Sequence, residues 1–358
     1  MSIAVSHGGG QTIVQTDVAE NEVLFGTVDG VVILRRETES WSQVSRSLNG
    51  KHIHALVFEP QSGTWFAGAQ HGGVYASTDG GRTWSERVVG LSELNVYSLS
   101  CASIDGTVRL FCGTEPAKLF ISDDLGLTWE EKPHLAQQKN EKWSFPAPPH
   151  VPHVKHINFS PSDPKTVFAS IEVGALLKSV DGGDTWAEVE GMYEDVHRCI
   201  ISPDSGSMYV TGGMGLWASH DSGDSWQNVF GRGSESGGYP DQLVFKPSDP
   251  TYMILSAGQK SPGNWGPDGT AANRFSRSTD AGRTWEILTL GLEDKFKHNV
   301  EAMTLNESSS GTQIFAATTG GEVFWSSDAG ASWSIVGSTP PVSKGGHYKP
   351  LVTGEPVD

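Results

Sequence analysis

Ser77-Thr78-Asp79-Gly80-Gly81-Arg82-Thr83-Trp84 is the stretch on which the architecture turns. It reads S-x-D-x-G-x-[ST]-W, and the pattern returns at Ser122 to Trp129, Ser179 to Trp186, Ser219 to Trp226, Ser278 to Trp285 and Ser326 to Trp333. A degenerate seventh copy ends at Ser40-Trp41, with Arg36 in place of the Asp and Thr38 in place of the Gly. The closing tryptophans stand 43, 45, 57, 40, 59 and 48 residues apart. A short Asp side chain bonds its own following amides and Gly tolerates positive φ, so Asp-x-Gly is a turn. Strand-like runs flank each copy, as in Gly73-Val-Tyr-Ala before the turn and Ser85-Glu-Arg-Val-Val after it. Upstream come two more strands joined at a proline, His54 to Pro60 and then Gly63 to Ala69. Four strands per ~40–50 residues make a propeller blade, so the spacing predicts an all-β, seven-bladed β-propeller. Blades are expected to end near Trp41, Trp84, Trp129, Trp186, Trp226, Trp285 and Trp333, one propeller to span 1–338, and a tail to follow over 339–358.

Composition fits this reading and removes several function classes. Glycine supplies 43 of 358 residues, as a chain of many turns requires. With 25 Lys+Arg against 42 Asp+Glu the formal charge is −17, which opposes a nucleic-acid partner because affinity for polyanions comes from basic side chains. No apolar run reaches the ~18–20 residues of a membrane span. The start, Met1-Ser-Ile-Ala-Val-Ser-His-Gly-Gly-Gly10, carries neither a basic nor an apolar leader region. Cys101, Cys112 and Cys199 lack metal or redox spacing and are expected as free buried thiols, which suits a cytoplasmic protein.

The six boxes closely resemble the Asp-box, or BNR-repeat, family of propellers over about residues 12–338. That family includes sialidases, xyloglucan-active glycoside hydrolases, sortilin-type receptors and a photosystem II assembly factor. The resemblance implies an Asp box between the third and fourth strands of each blade, on the face away from the ligand site, so it speaks to fold rather than to function. Individual members fit poorly. The chain has no Arg-Ile-Pro segment, no arginine cluster and no Cys-rich module, and a single propeller lacks the cleft between two.

On the topology so implied, the ligand face is built from the starts of the inner strands and the turns between second and third strands. Aligning blades on the proline turn puts His54, His197 and Asp241 at one position, with Tyr97 and Lys155-His156 near it and His298-Asn299 just before the last inner strand. Aligning second strands adds Gln70-His71, Glu115, Glu172 and Gln259. Eight of twelve histidines fall on this face: His52, His54, His71, His150, His153, His156, His197 and His298. Imidazoles with carboxylates round one axis are ligand chemistry for zinc, iron or manganese, so His54, His156 and His197 are expected as metal ligands. Glu115, Glu172 and Asp241 are the expected catalytic carboxylates. His71, His153, His298 and Gln259 are expected to bind substrate, with Trp143 and Trp265 of two long insertions as its apolar walls. The functional expectation is a cytoplasmic, metal-dependent hydrolase or lyase acting on a small molecule. Two alternatives stand beside it: a non-catalytic propeller that binds a protein or glycan, and a glycoside hydrolase using a carboxylate pair.

Overall fold

The computed structural model describes residues 3–344, apart from 39, 148, 204–205 and 266–268. Within them the chain forms seven small, mostly antiparallel sheets and almost no helix. Blade 2 is typical: Ile53–Glu59 lies innermost, followed outward by Thr64–Ala69, Gly73–Ser77 and Ser85–Glu86. Blades 3 to 7 repeat the order, with inner strands Val96–Ile104, Val154–Ser160, Val196–Ile201, Tyr239–Lys246 and Val300–Ser308. Apolar clusters fill the spaces between neighbouring sheets, such as Val57, Phe66, Leu99 and Phe120 between blades 2 and 3.

The Asp boxes close the third-to-fourth-strand turns, where the family resemblance put them. In all six, the Ser hydroxyl accepts the box Gly N–H at 2.8–2.9 Å. The Asp carboxylate accepts the N–H of the Thr or Ser four residues on, and its hydroxyl as well. The tryptophan spans the gap between blades: the Trp84 indole N–H donates to Ser47 Oγ of blade 1, and Trp333 stacks flat on Phe275 of blade 6 at 4.2 Å. Asp181→Ala therefore removes several local, partly solvated hydrogen bonds and should cost about 1 kcal/mol in a denaturation curve. Chemistry on the opposite face should be untouched; its loss with an unchanged melting curve would mean that the faces are reversed.

Blade 1 departs from the pattern. Its second to fourth strands are Glu22–Thr27, Gly30–Glu37 and Ser40–Ser47, but its innermost strand is the chain start, Ile3–Val5, running parallel to its neighbour. The chain then crosses the central channel. Gly8 N–H donates to His54 O at 2.6 Å, Gly10 N–H donates to Leu99 O at 3.0 Å, and the Ser6 hydroxyl accepts the Leu56 N–H. Beyond the crossing, Ile13–Thr16 adds a parallel fifth strand to the inner edge of blade 7. The three glycines make the crossing possible. A Cβ on Gly8 would sit 1.8 Å from Tyr97 O, on Gly9 2.6 Å from Leu56 O, and on Gly10 2.3 Å from Ser100 Oγ. The inserted segment turns an open channel into a blind cup that opens on the face away from the Asp boxes. Among the described residues no helix is long and apolar enough to cross a membrane.

Candidate functional site

The floor of the cup is set by one device used six times. Near the start of each inner strand of blades 2 to 7 the pairing register skips a residue. The skipped residues are His54, Tyr97, Lys155, His197, Asp241 and Glu301. A bulge leaves its extra residue outside the ladder and re-aims the side chain. All six line one cavity of about 150 Å³, and His7 of the crossing segment joins them on the side of blade 1. Phe145 and Pro262, from the insertions of blades 4 and 6, form part of its upper wall, and Ser343 and Lys344, the last described residues, complete it. The segment 341–344 is docked: Val342 is fully buried beside Val5 and Val323, and Val28 N–H donates to Pro341 O. The Gly345 to Tyr348 stretch lies outside the described residues.

One half of the cavity is charged and internally paired. Lys155 Nζ lies 3.1 Å from Glu172 Oε2 and 3.8 Å from Asp241 Oδ1. Burial opposes both charges in the Lys155–Glu172 pair, but the pairing outweighs it: the Lys155 pKa is raised and the Glu172 pKa lies well below the usual carboxylate range. His153 stacks on Tyr97 at 3.9 Å, with Nε2 2.8 Å from Glu172 Oε2 and Nδ1 at an ion-pair distance of 3.5 Å from Glu115 Oε2. Burial pulls its pKa down, and hydrogen bonds and charge from the two carboxylates more than restore it, so the His153 pKa is raised above its ordinary value. His197 Nδ1 meets Pro240 O at 3.0 Å, which makes that nitrogen an N–H donor, and Nε2 meets the Tyr239 hydroxyl at 3.0 Å. Burial and Lys155 oppose a charge on this ring, while Asp195 and Asp241 outweigh them and raise its pKa. Glu301 accepts from Asn299 Nδ2 at 3.4 Å and from the Ser343 hydroxyl. Burial first, then the Asp241 charge, lifts its pKa to about 7.

The other half is neutral. His7, His52 and His54 cluster with ring centroids 5.4 Å (His7 to His54) and 4.2 Å (His52 to His54) apart. Burial is the main cause that lowers the pKa of His7 to about 3 and of His52 to about 4, and holds His54 well below its ordinary value.

Sequence equivalence and structure part company at blade 4. The bulge falls on Lys155, so His156 resumes the ladder opposite Ser170 and does not line the cavity. Its ring is buried with neither nitrogen bonded, and burial, with Arg198 beside it, keeps its pKa well down. His54, His156 and His197 thus do not gather round one point, and His197 already has partners at both nitrogens. Among the described residues no group of three His, Cys, Asp or Glu is placed to hold a metal ion, so the expected zinc, iron or manganese finds no matching ligand set.

The remaining candidates divide. Glu172, Asp241 and His153 line the cavity, and Glu115 stands behind His153. His71 is exposed in a turn at φ 52°. His298 pairs with Glu322 at 2.6 Å, and neither it nor Gln259 lines the cavity. Trp143 is buried in the blade-4 core, and the Trp265 indole N–H pins its own loop through Lys260 O at 2.8 Å; Phe145 and Pro262 take the wall positions expected of them. Sequence reasoning missed His7, Glu301, Ser343 and Lys344. The first had a signal in the Gly8-Gly9-Gly10 run, which allows close backbone approach.

Comparisons with known proteins agree with the fold. Residues 75–86 match the BNR/Asp-box repeat family. No curated protein sequence matches the chain. The fold is shared with the xyloglucanase of family GH74 from Xanthomonas campestris (TM-score 0.71, 17% identity, 94% of this chain and 56% of that one). It is also shared with the GH74 enzyme of Niastella koreensis (0.65, 18%, 94% and 55%), so the chain spans about half the length of these enzymes. YCF48 from Cyanidioschyzon merolae (0.58, 16%, 88% and 91%) and YCF48 bound to D1 peptide (0.54, 14%, 89% and 86%) are matched over most of both chains. At such identities the likeness establishes fold alone.

Proposed function

Taking the chain as a seven-bladed propeller of Asp-box repeats, we propose that it is an acid–base enzyme, a hydrolase or lyase, acting on a small molecule held in the blind cup. The observation that carries this reading is the convergence of six bulge residues on one cavity, with the Tyr239 hydroxyl backed by His197. The Tyr239 O–H is the proton donor to a leaving group, and the imidazolium of His197, sustained by Asp195 and Asp241, returns the proton through Nε2. Glu301, with a pKa of about 7, exchanges the second proton near neutrality. Lys155 holds the Glu172 and Asp241 charges in place and is a positioning residue. Because Lys155 lies beside both carboxylates, these two are poorly suited to act as a glycosidic acid and nucleophile pair, and a cavity of about 150 Å³ favours a small substrate over a polysaccharide. Free thiols support placement in a reducing cytoplasm: Cys101, Cys112 and Cys199 form no disulfide, and their pKa values are raised by burial.

The test is a screen of small esters, lactones and β-hydroxy acids. Turnover should fall about 10²–10⁴-fold in Tyr239→Phe while the melting curve holds. Turnover that ignores both Tyr239→Phe and Glu301→Gln would sink the reading. A second reading, a non-catalytic propeller that presents this face to a peptide, is favoured by one observation: the YCF48 propellers, one of them bound to D1 peptide, match over most of their length. Peptide binding across the face, with no small molecule entering the cavity, would put it first.

A further inference from the structure

The polar atoms of the charged half all have a hydrogen bond or an ion pair close by, Asp241 Oδ1 and His153 Nδ1 through ion pairs alone, but four ring nitrogens of the neutral half have neither. His7 Nδ1 and Nε2, His52 Nε2 and His54 Nδ1 are buried without any hydrogen-bond partner, and these three residues are 9%, 8% and 4% exposed. Buried polar groups are normally paired, so four orphaned ring nitrogens on one wall mark a place where a ligand atom belongs. Above them stands Lys344 at the rim, exposed and with no ion pair among the described residues. Its field already acts on His52 and His54. The carboxylates that could have answered this charge are engaged elsewhere: Glu172 and Asp241 with Lys155, Glu115 with His153 and Glu301 with Ser343. The wall therefore offers adaptable imidazole donors beneath one uncompensated cation.

We propose that His7, His52, His54 and Lys344 form a subsite for the carboxylate of a small organic acid, which makes the substrate class a small carboxylic acid with its reactive end toward Tyr239 and Glu301. This deepens the small-molecule reading and rests on it. One lysine matches one negative charge. An imidazole can donate from either nitrogen according to tautomer, and takes up a proton when an anion settles beside it. His54 faces His7, His52, Tyr97, His153 and Lys344; His52 faces Gln70 and Lys344; His7 faces Lys155, Asp241, Arg198 and Glu172. An entering carboxylate raises the pKa of the nearest rings, so by linkage it binds more tightly as pH falls from 7.5 toward ~5.5, where the acid itself stays ionised.

The experiment uses the full chain with ¹³C-labelled histidine, titrated with sodium acetate and, in parallel, with neutral acetamide of the same shape. Acetate should shift the cavity histidine signals saturably, acetamide should not, and Kd should weaken about three- to tenfold between pH 5.5 and 7.5. Lys344→Gln, on an exposed residue that carries no packing, should weaken acetate by about the same factor; His54→Gln should abolish the shifts of the remaining rings. Equal response to acetate and acetamide, or acetate binding that ignores Lys344→Gln, overturns the subsite. Tyr239→Phe separates the two proposals. It should lose turnover yet bind acetate like the wild type; lost turnover without an acetate response removes the subsite alone. Acetate bound at Lys344 with turnover indifferent to Tyr239 keeps the subsite and removes the enzyme.

Discussion

Lys155→Met will cost the folded protein about 3–5 kcal/mol at pH 7, because it leaves Glu172 and Asp241 as buried charges without their shared cation. The lysine is buried, and its ammonium is the strongest electrostatic cause of the depressed pKa of both acids. The sign of the pH dependence follows. In the wild type both carboxylates have folded-state pKa values below their unfolded ones, so their contribution is present above about pH 4 and is lost as pH falls through the lower folded values. Without Lys155, burial is left opposed by weaker partners, His153 and His197 at Glu172 and His197, Arg198 and His7 at Asp241, and the folded pKa values rise. The variant should then regain stability relative to the wild type as pH drops from 7 to 5, where these acids take up protons. Denaturant titrations at the two pH values test this. A deficit below about 1 kcal/mol, or one equal at both, would mean that Lys155 is not the counter-ion that holds the site together.

The contrast between what could and could not be read in advance has a physical basis. An Asp box is local chemistry: Ser179, Asp181, Gly183 and Thr185 bond to one another within seven residues, so sequence spacing states the turn outright. Six such turns and the degenerate copy at Trp41 dictate the blade count and the face on which the ligand site opens. Site membership depends instead on which residue of an inner strand is pushed out of register. Counting from the proline turn finds the right place for His54, His197 and Asp241, where spacings agree. It is ambiguous by one at Lys155-His156, and one residue changes the chemistry from imidazole to ammonium, which is why a metal looked natural. In blade 7 the count stops at His298-Asn299, short of Glu301. The closing of the channel depends on contacts between residues 6–10 and strands some 50 and 90 positions away, Leu56 and Leu99 among them, and no local pattern encodes such pairings beyond the glycine run itself.

Gly8→Ala should be as damaging as the loss of a core side chain, although it adds only a methyl group. The new Cβ would meet a backbone carbonyl, Tyr97 O, at 1.8 Å, with the Tyr97 carbonyl carbon at 3.0 Å and Ser98 Cα at 3.3 Å. No flexible side-chain end can swing aside, and Tyr97 is itself a bulge residue of the cavity wall. Overpacking typically costs about 1–3 kcal/mol when the surroundings yield. Here the relief open to the chain is to withdraw residues 6–10, giving up the bonds from Gly8 to His54 O and from Gly10 to Leu99 O and releasing the seal that makes the cup blind. The expected result is a fall in melting temperature of several degrees and a site that no longer excludes water, with the Asp-box rim unchanged. Gly263→Ala is the control, since a Cβ there has nothing within 4 Å. Amide hydrogen exchange would localise the change: the inner-strand amides of Leu56 and Leu99, which bond to the crossing segment, should lose protection first in Gly8→Ala. If they stay protected and the melting curve is that of the Gly263 control, the N-terminal segment does not thread the channel, and the cavity is a through-passage rather than a cup.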